Sequence, residues 1–265
     1  PYLERTLDVI ADLRAARRST TEQTVSARPA LSCSGVSLSY GNDVVVRDLD
    51  LEITGTGGVA IIGPSGSGKS TTLQALSGFL TPDSGNVSVD GVPLQLLPTE
   101  DLGRIIGLLP QDPKLFRAPL RDNMLRAGVE MDDGELGSAL DSVGLTATVD
   151  GFAGGLDADM GRGAEGLSGG ELQRLGLLRL ELNGPEIWLL DEPTSALDRA
   201  NGDRVVDLVC KAMEDHLVIL VTHRPELLAH CARVIFMEDG VVVDDGTLDE
   251  VVERQPFVAA MAEQL

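Results

Sequence analysis

Residues 63–70 read Gly-Pro-Ser-Gly-Ser-Gly-Lys-Ser, set between the apolar run Val-Ala-Ile-Ile at 59–62 and a helical pattern over 71–80. A buried strand, a glycine-rich turn and a helix in that order leave few folds open. Gly63, Gly66 and Gly68, with Pro64, Ser65 and Ser67 between them, let main-chain N–H groups curl around β- and γ-phosphate oxygens. The helix start at Ser70 and Thr71 adds positive potential. Lys69 bridges the phosphates, and the Ser70 hydroxyl is the type of ligand that Mg²⁺ takes. The spacing predicts an α/β chain that holds a nucleoside triphosphate.

A second segment fits the same chemistry. Residues 187–192, Ile-Trp-Leu-Leu-Asp-Glu, form an apolar strand ending in two adjacent carboxylates. Such a pair also serves as a plain helix cap. Beside a phosphate loop, Asp191 suits a hydrated Mg²⁺ and Glu192 suits the polarisation of an attacking water.

The rest of the chain agrees with an α/β fold. Residues 36–40 and 49–53 alternate apolar and polar, and 44–46 follow a Gly-Asn-Asp turn, so antiparallel strands are expected over 31–53. Residues 100–183 read as mainly helical, with segments near 134–143 and 168–182. Buried strands return at 187–190 and 218–221, followed by a pair at 234–237 and 241–243 around Asp239-Gly240. Runs apolar on both faces, separated by helices, predict a parallel sheet covered on both sides. Leu3, Leu7, Ile10 and Leu13 predict a leading helix over 3–18, and the Ser/Thr/Gln-rich residues 19–26 a linker. Arg14, Arg17 and Arg18 suit either lipid headgroups or a solvated helix end.

Composition removes other classes. The 265 residues carry a formal charge of −21, and lysine occurs only at 69, 114 and 211. A chain so acidic disfavours broad electrostatic binding to nucleic acid, because phosphate neutralisation needs a basic face. Cys33, Cys210 and Cys231 form no CxxC pair and read as small buried apolar residues in a reducing compartment. No run reaches the ~18–20 apolar residues of a membrane span. The chain starts at Pro1 without an initiator methionine, so a soluble cytoplasmic piece of something longer is expected.

Residues 167–174, Leu-Ser-Gly-Gly-Glu-Leu-Gln-Arg, resemble the signature of ATP-binding-cassette (ABC) ATPases. The resemblance covers about residues 31–250, with its motifs in the family's order. Tyr40 matches the aromatic that stacks on adenine, Gln111 the loop glutamine that meets Mg²⁺ and the γ-phosphate, residues 195–198 the loop after the Asp-Glu strand, and His223 the switch histidine. Alone, Tyr40 also reads as a packing residue, and Gln111 and His223 as ordinary polar loop residues. His216 and His230 match no motif.

The resemblance implies a RecA-like phosphate-loop NTPase. Its mostly parallel sheet carries an antiparallel β subdomain and a helical signature subdomain at about 112–184, within an ATPase domain over 31–265 that follows a membrane-domain helix end and linker over 1–30. It also implies ATP and Mg²⁺ as ligands, and a second ABC ATPase domain, identical or different, facing this one head to tail around two ATP molecules. Tyr40, Gly66, Gly68, Lys69, Ser70, Thr71, Gln111, Asp191, Glu192 and His223 then act from one side, with Glu192 as general base. Ser168, Gly169 and Gly170 of the partner complete the site.

Residues 90–123 look like the exporter type, in which a transmembrane domain precedes the ATPase in one chain at the cytoplasmic face of the membrane. Residues 159–166 depart from the exporter's Thr-Glu-Val-Gly-Glu-type segment, and 175–182 carry larger residues than usual. Residues 222–226 are similar to heterodimeric bacterial exporters, including thiol exporters. An import-type ATPase docking on separate permease subunits is the alternative. A soluble cassette acting on nucleic acid is opposed by the charge and by the lack of a long insertion.

Overall fold

The computed structural model describes residues 29–160 and 166–262. The helix and linker expected before residue 29, and residues 161–165 of the segment that departs from the exporter pattern, lie outside them.

The chain opens with β1 (Leu31–Tyr40), β2 (Asp43–Ile53) and β3 (Gly57–Ile62), then α1 (Lys69–Leu76), β4 (Ser84–Val89) and β5 (Val92–Pro93). Next come α2 (Thr99–Ile105), β6 (Ile106–Leu109), α3 (Leu120–Met124), α4 (Asp133–Ser142), α5 (Thr146–Asp150) and α6 (Gly169–Asn183). The remainder is β7 (Ile187–Asp191), α7 (Arg199–Asp215), β8 (Leu217–Val221), α8 (Pro225–Leu228), β9 (Cys231–Glu238), β10 (Val241–Gly246), α9 (Leu248–Arg254) and α10 (Pro256–Ala262).

Two sheets result. One is antiparallel, ordered β2-β1-β4-β5, and the other is ordered β10-β9-β3-β8-β7-β6. In the second, β9, β3, β8, β7 and β6 run parallel and β10 closes the edge antiparallel to β9. This is the expected phosphate-loop NTPase core with an antiparallel sheet beside it. The β9–β10 hairpin turns at Asp239-Gly240 as the alternation predicts.

Burial follows the sequence periods. Every residue of β7 and β8 is buried, as strands covered on both faces must be. One core cluster joins β1, β2 and α1, through Val36, Leu51, Leu73 and Leu76, to one face of the large sheet at Ile61, Leu189 and Ile219. A second covers the other face, where Trp188, Leu190 and Leu220 meet Val205 and Val209 of α7 and Leu177 of α6. A third is wholly helical: Leu120, Met124, Leu136 and Leu140 pack on Leu175 and Leu178 of α6. Helix α6 therefore has one apolar side on the sheet and another on the helices. The three cysteines are free; Cys33 and Cys231 are buried and Cys210 half-buried. Among the described residues no helix is long and apolar enough to cross a membrane.

Three expectations need adjustment. Residues 44–46 and 49–53 belong to one strand, β2, whose pairing with β1 shifts register between Leu38 and Val36. Asp48 absorbs the irregularity at a φ of 45°, and its N–H donates to Ser37 Oγ at 3.0 Å. Helix α1 stops at Leu76, because Ser77 Oγ donates to the Gln74 carbonyl and Gly78 turns to a φ of 74°. The stretch 100–183 is not purely helical: Ile106-Gly-Leu-Leu forms β6, paired in parallel with β7. Gly107 and Gly176 make that strand's close contacts possible, since a Cβ at either would lie within 2.5 Å of a leucine of the neighbouring element.

Candidate nucleotide-binding and hydrolytic site

Four parallel strands deliver the site to one edge. Ile61 of β3 and Asp191 of β7 both pair with Val221 of β8, and Leu109 of β6 pairs with Leu190. The strands run out together, so the segments after them meet: residues 63–70 after β3, Gln111 after β6, Glu192 after β7 and His223 after β8. The carboxyl ends of parallel strands are where open α/β sheets bind ligands.

A cavity of about 250 Å³ lies there. Ser65, Gly66, Gly68, Lys69, Ser70 and Thr71 line one wall, and Gln111, Glu192 and His223 face them, with Val45 of β2 closing a side. Two glycines shape the loop by necessity. A Cβ on Gly63 would sit 1.9 Å from the Met237 carbonyl oxygen, and Gly68 has a φ of 93° with its Cβ position 2.7 Å from the Val45 carbonyl. Helix α1 begins directly after Gly68 with no side-chain cap, leaving its first N–H groups for an anion.

Lys69 is 7% exposed, and its Nζ donates to the carbonyls of Gly63 at 2.9 Å and Pro64 at 2.7 Å, with buried Ser67 Oγ at 3.5 Å. Burial draws its pKa down, against the pull of the Glu192 and Asp191 carboxylates. Ser70 Oγ donates to Asp191 Oδ1 at 3.1 Å, across 121 positions of sequence. Burial pushes the Asp191 carboxyl up, the Ser70 bond opposes this, and Glu192 adds to it. Both are the responses of charges packed where solvent is scarce.

Glu192 occupies an unusual backbone conformation, with a φ of 48°. A bulky residue there carries strain of roughly 1–3 kcal/mol and needs its surroundings to hold it. Its N–H donates to the Val221 carbonyl at 2.9 Å, and its carbonyl accepts from Ser195 N–H at 3.1 Å. The result turns the side chain into the cavity, where Oε1 lies 3.4 Å from His223 Nε2. A second cavity of about 360 Å³ opens on the far side of Glu192 and His223, against Ser195 and Arg224.

Tyr40 and the signature stand apart from this cluster. Tyr40, at the end of β1, is 54% exposed and does not line the cavity. Ser168 and Gly169 are exposed and Gly170 buried at the start of α6. Ser168 forms a capping box there: its Oγ accepts from Glu171 N–H at 3.3 Å and contacts Glu171 Oε2 at 2.7 Å, and its N–H donates to Oε2. Val45 was not singled out by the sequence, because nothing in a run of three valines marks which one meets the loop. Gln173 lay inside the signature without a role, and the structure gives it four polar partners.

A buried strand, a phosphate loop on a helix start, and a paired acid at the end of a strand two places away in the same parallel sheet define a phosphate-loop NTPase. Comparison with known proteins narrows this. The family profile "ABC transporter" matches residues 46–195, more than half of the chain, and the chain belongs to that family as its ATP-binding ATPase domain. The mycobactin import ATP-binding/permease protein IrtB of Mycolicibacterium thermoresistibile is 36% identical over 85% of this chain and 39% of its own length. The glutathione/L-cysteine transport system ATP-binding/permease protein CydC of Escherichia coli is 33% identical over 89% of this chain and 41% of its own. The ATP-dependent lipid A-core flippase of Ralstonia nicotianae is 33% identical over 89% and 40%. A solved bacterial Atm1-family ABC exporter with ATP bound superposes with a TM-score of 0.80 at 27% identity, covering 91% of this chain and 42% of that one. The chain thus spans about two fifths of the length of the relatives it matches.

Proposed function

We propose that this chain is the ATPase end of a fused ABC exporter, pairing with a second cassette around two ATP molecules and driving a transmembrane domain from the cytoplasmic face of the membrane. The observation that carries the reading is the meeting of Lys69, Ser70, Gln111, Asp191, Glu192 and His223 at one strand edge. The relatives' names support fusion to a permease, as against docking on separate subunits. Those names cover import, thiol transport and lipid flipping. Outward movement therefore rests on the exporter-like residues 90–123 and the exporter neighbour. The transported substrate is not carried over.

In this reading the 63–70 loop and the α1 start hold the β- and γ-phosphates, and Lys69 exchanges its two carbonyl partners for phosphate oxygens. Glu192 accepts a proton from the attacking water as the new O–P bond forms, and the bridging oxygen leaves with its electron pair on ADP. His223, half-exposed beside Glu192, contacts the γ-phosphate. Tyr40, exposed on its strand end, stacks on adenine, and the partner's exposed Ser168 and Gly169, with Gly170, close over the γ-phosphate. Ser70 and Asp191, two oxygen groups 3.1 Å apart at the loop, fit Mg²⁺, with Gln111 on the opposite wall. Mg²⁺ takes one or two protein oxygens and fills its shell with water and phosphate. When bound it neutralises charge on the transferring phosphoryl group.

Sedimentation of Glu192→Gln with and without ATP and Mg²⁺ tests the pairing. The expected result is dimer only with nucleotide, with hydrolysis lowered about 10²–10⁴-fold and ATP binding retained. Undiminished hydrolysis in this variant removes Glu192 from its role.

A further inference from the structure

We infer that Gln173, inside helix α6, is a positioning residue for ATP hydrolysis that fixes the loop segments carrying Glu192, Ser195 and Gln111 relative to one another. The inference rests on the hydrolytic reading above.

Gln173 is 1% exposed, and a buried amide must find partners for both ends. Its orientation is set by Ala196, whose main-chain N–H donates to Oε1 at 3.1 Å; only the carbonyl end of the amide can accept it. Nε2 is then turned toward three acceptors, Ser195 Oγ at 2.9 Å, the Glu192 carbonyl at 3.1 Å and the Gln111 carbonyl at 3.4 Å. Two N–H bonds serve these three, the first two being the short ones. One side chain thereby ties together the residue after β7, the loop that follows it and the residue after β6.

The backbone of Glu192 explains why such a tie matters. Its left-handed φ is held by the N–H bond to Val221 and by two bonds to its carbonyl, from Ser195 N–H and from Gln173. Removing Gln173 frees one of the two anchors on a strained carbonyl, and the Glu192 side chain depends on that peptide for its aim into the cavity. The helix face agrees. Gly170, one turn before Gln173, would place a Cβ 2.8 Å from the Ala196 carbonyl and so lets α6 lie against the 194–197 loop; Leu177, one turn after, packs on the sheet. None of the contacts of Gln173 reach residues 63–71, so ATP binding by the phosphate loop does not depend on it.

The test measures ATP hydrolysis, ATP affinity by calorimetry and thermal stability for the 265-residue chain and for Gln173→Met and Gln173→Glu. Met keeps the volume and removes all four bonds. Glu keeps the shape and the acceptor for Ala196 but turns the donor into a carboxylate facing two carbonyls. The expected result is a fall in kcat of about tenfold or more in both variants with ATP affinity within about threefold of wild type. Failure of Glu to rescue Met separates the donor bonds from packing. A kcat within about threefold of wild type in Gln173→Met, or a kcat that falls only in step with ATP affinity, overturns the inference while leaving the nucleotide site standing. A wild-type chain that binds and hydrolyses no ATP overturns the hydrolytic reading and this inference with it. If Gln173→Met does not fold, Gln173→Glu and Ser195→Ala, which removes the 2.9 Å bond alone, are held to the same limits.

Discussion

Of the three lysines, Lys69 alone is buried, and its ammonium is spent on two carbonyls of its own loop. Lys69→Met keeps most of the aliphatic stem and removes the charge. Hydrogen bonds to a charged group contribute roughly 1.5–3 kcal/mol, so ATP affinity is expected to fall about tenfold or more, as calorimetry would register. The loop itself should persist, because Gly63 and Gly68 are fixed by close backbone approach to Met237 and Val45 independently of Lys69. Lys69, Ser70 and Glu192 are legible in the sequence because their chemistry is written in residues next to one another. Gln173 and Val45 are not, since their meaning comes from partners brought close by folding: Gln173 meets residues 19 to 62 positions away. The sequence offers no signal that sets Gln173 apart, because charged Glu171 and Arg174 stand beside it on the same helix.

At the scale of elements, the parallel β3, β7 and β8 and the β9–β10 hairpin are read correctly from full burial or alternation, whereas β4 goes unread. Strand β6 escapes because four residues containing a glycine, directly after a helix, carry no period of their own; pairing with β7 makes it a strand. The corner of β10 and α9 supplies a prediction. Arg254 and Gln255 donate to the Asp244 carboxylate at 2.9–3.1 Å, and the arginine foremost holds its pKa down to about 2. A pKa depressed by folding stabilises above the unfolded value and loses that contribution as pH falls through the folded one. Asp244→Asn is therefore expected to melt about 2–4 °C below wild type at neutral pH, with the gap closing between about pH 4 and pH 2. A gap that stays constant over that window means that the charge of Asp244 is not what ties α9 to β10.

The molecule as a whole carries −21, and the proposed sandwich brings two such bodies face to face with two nucleotides between them. Like net charges oppose association over a range set by salt, about 30 Å at 0.01 M and about 10 Å at 0.1 M ionic strength. In the proposed sandwich the closing contacts would be local, a phosphate against a helix start, which salt screens less. For Glu192→Gln with saturating ATP and Mg²⁺, the dimer Kd is thus expected to fall as ionic strength rises from about 0.01 M to about 0.2 M. Sedimentation equilibrium across that range reads it directly. A Kd that instead rises with salt means that complementary pairs across the interface outweigh the net repulsion. The attraction would then lie in side chains such as Arg199 and Arg224 beside the second cavity, and substituting them should flatten the salt dependence.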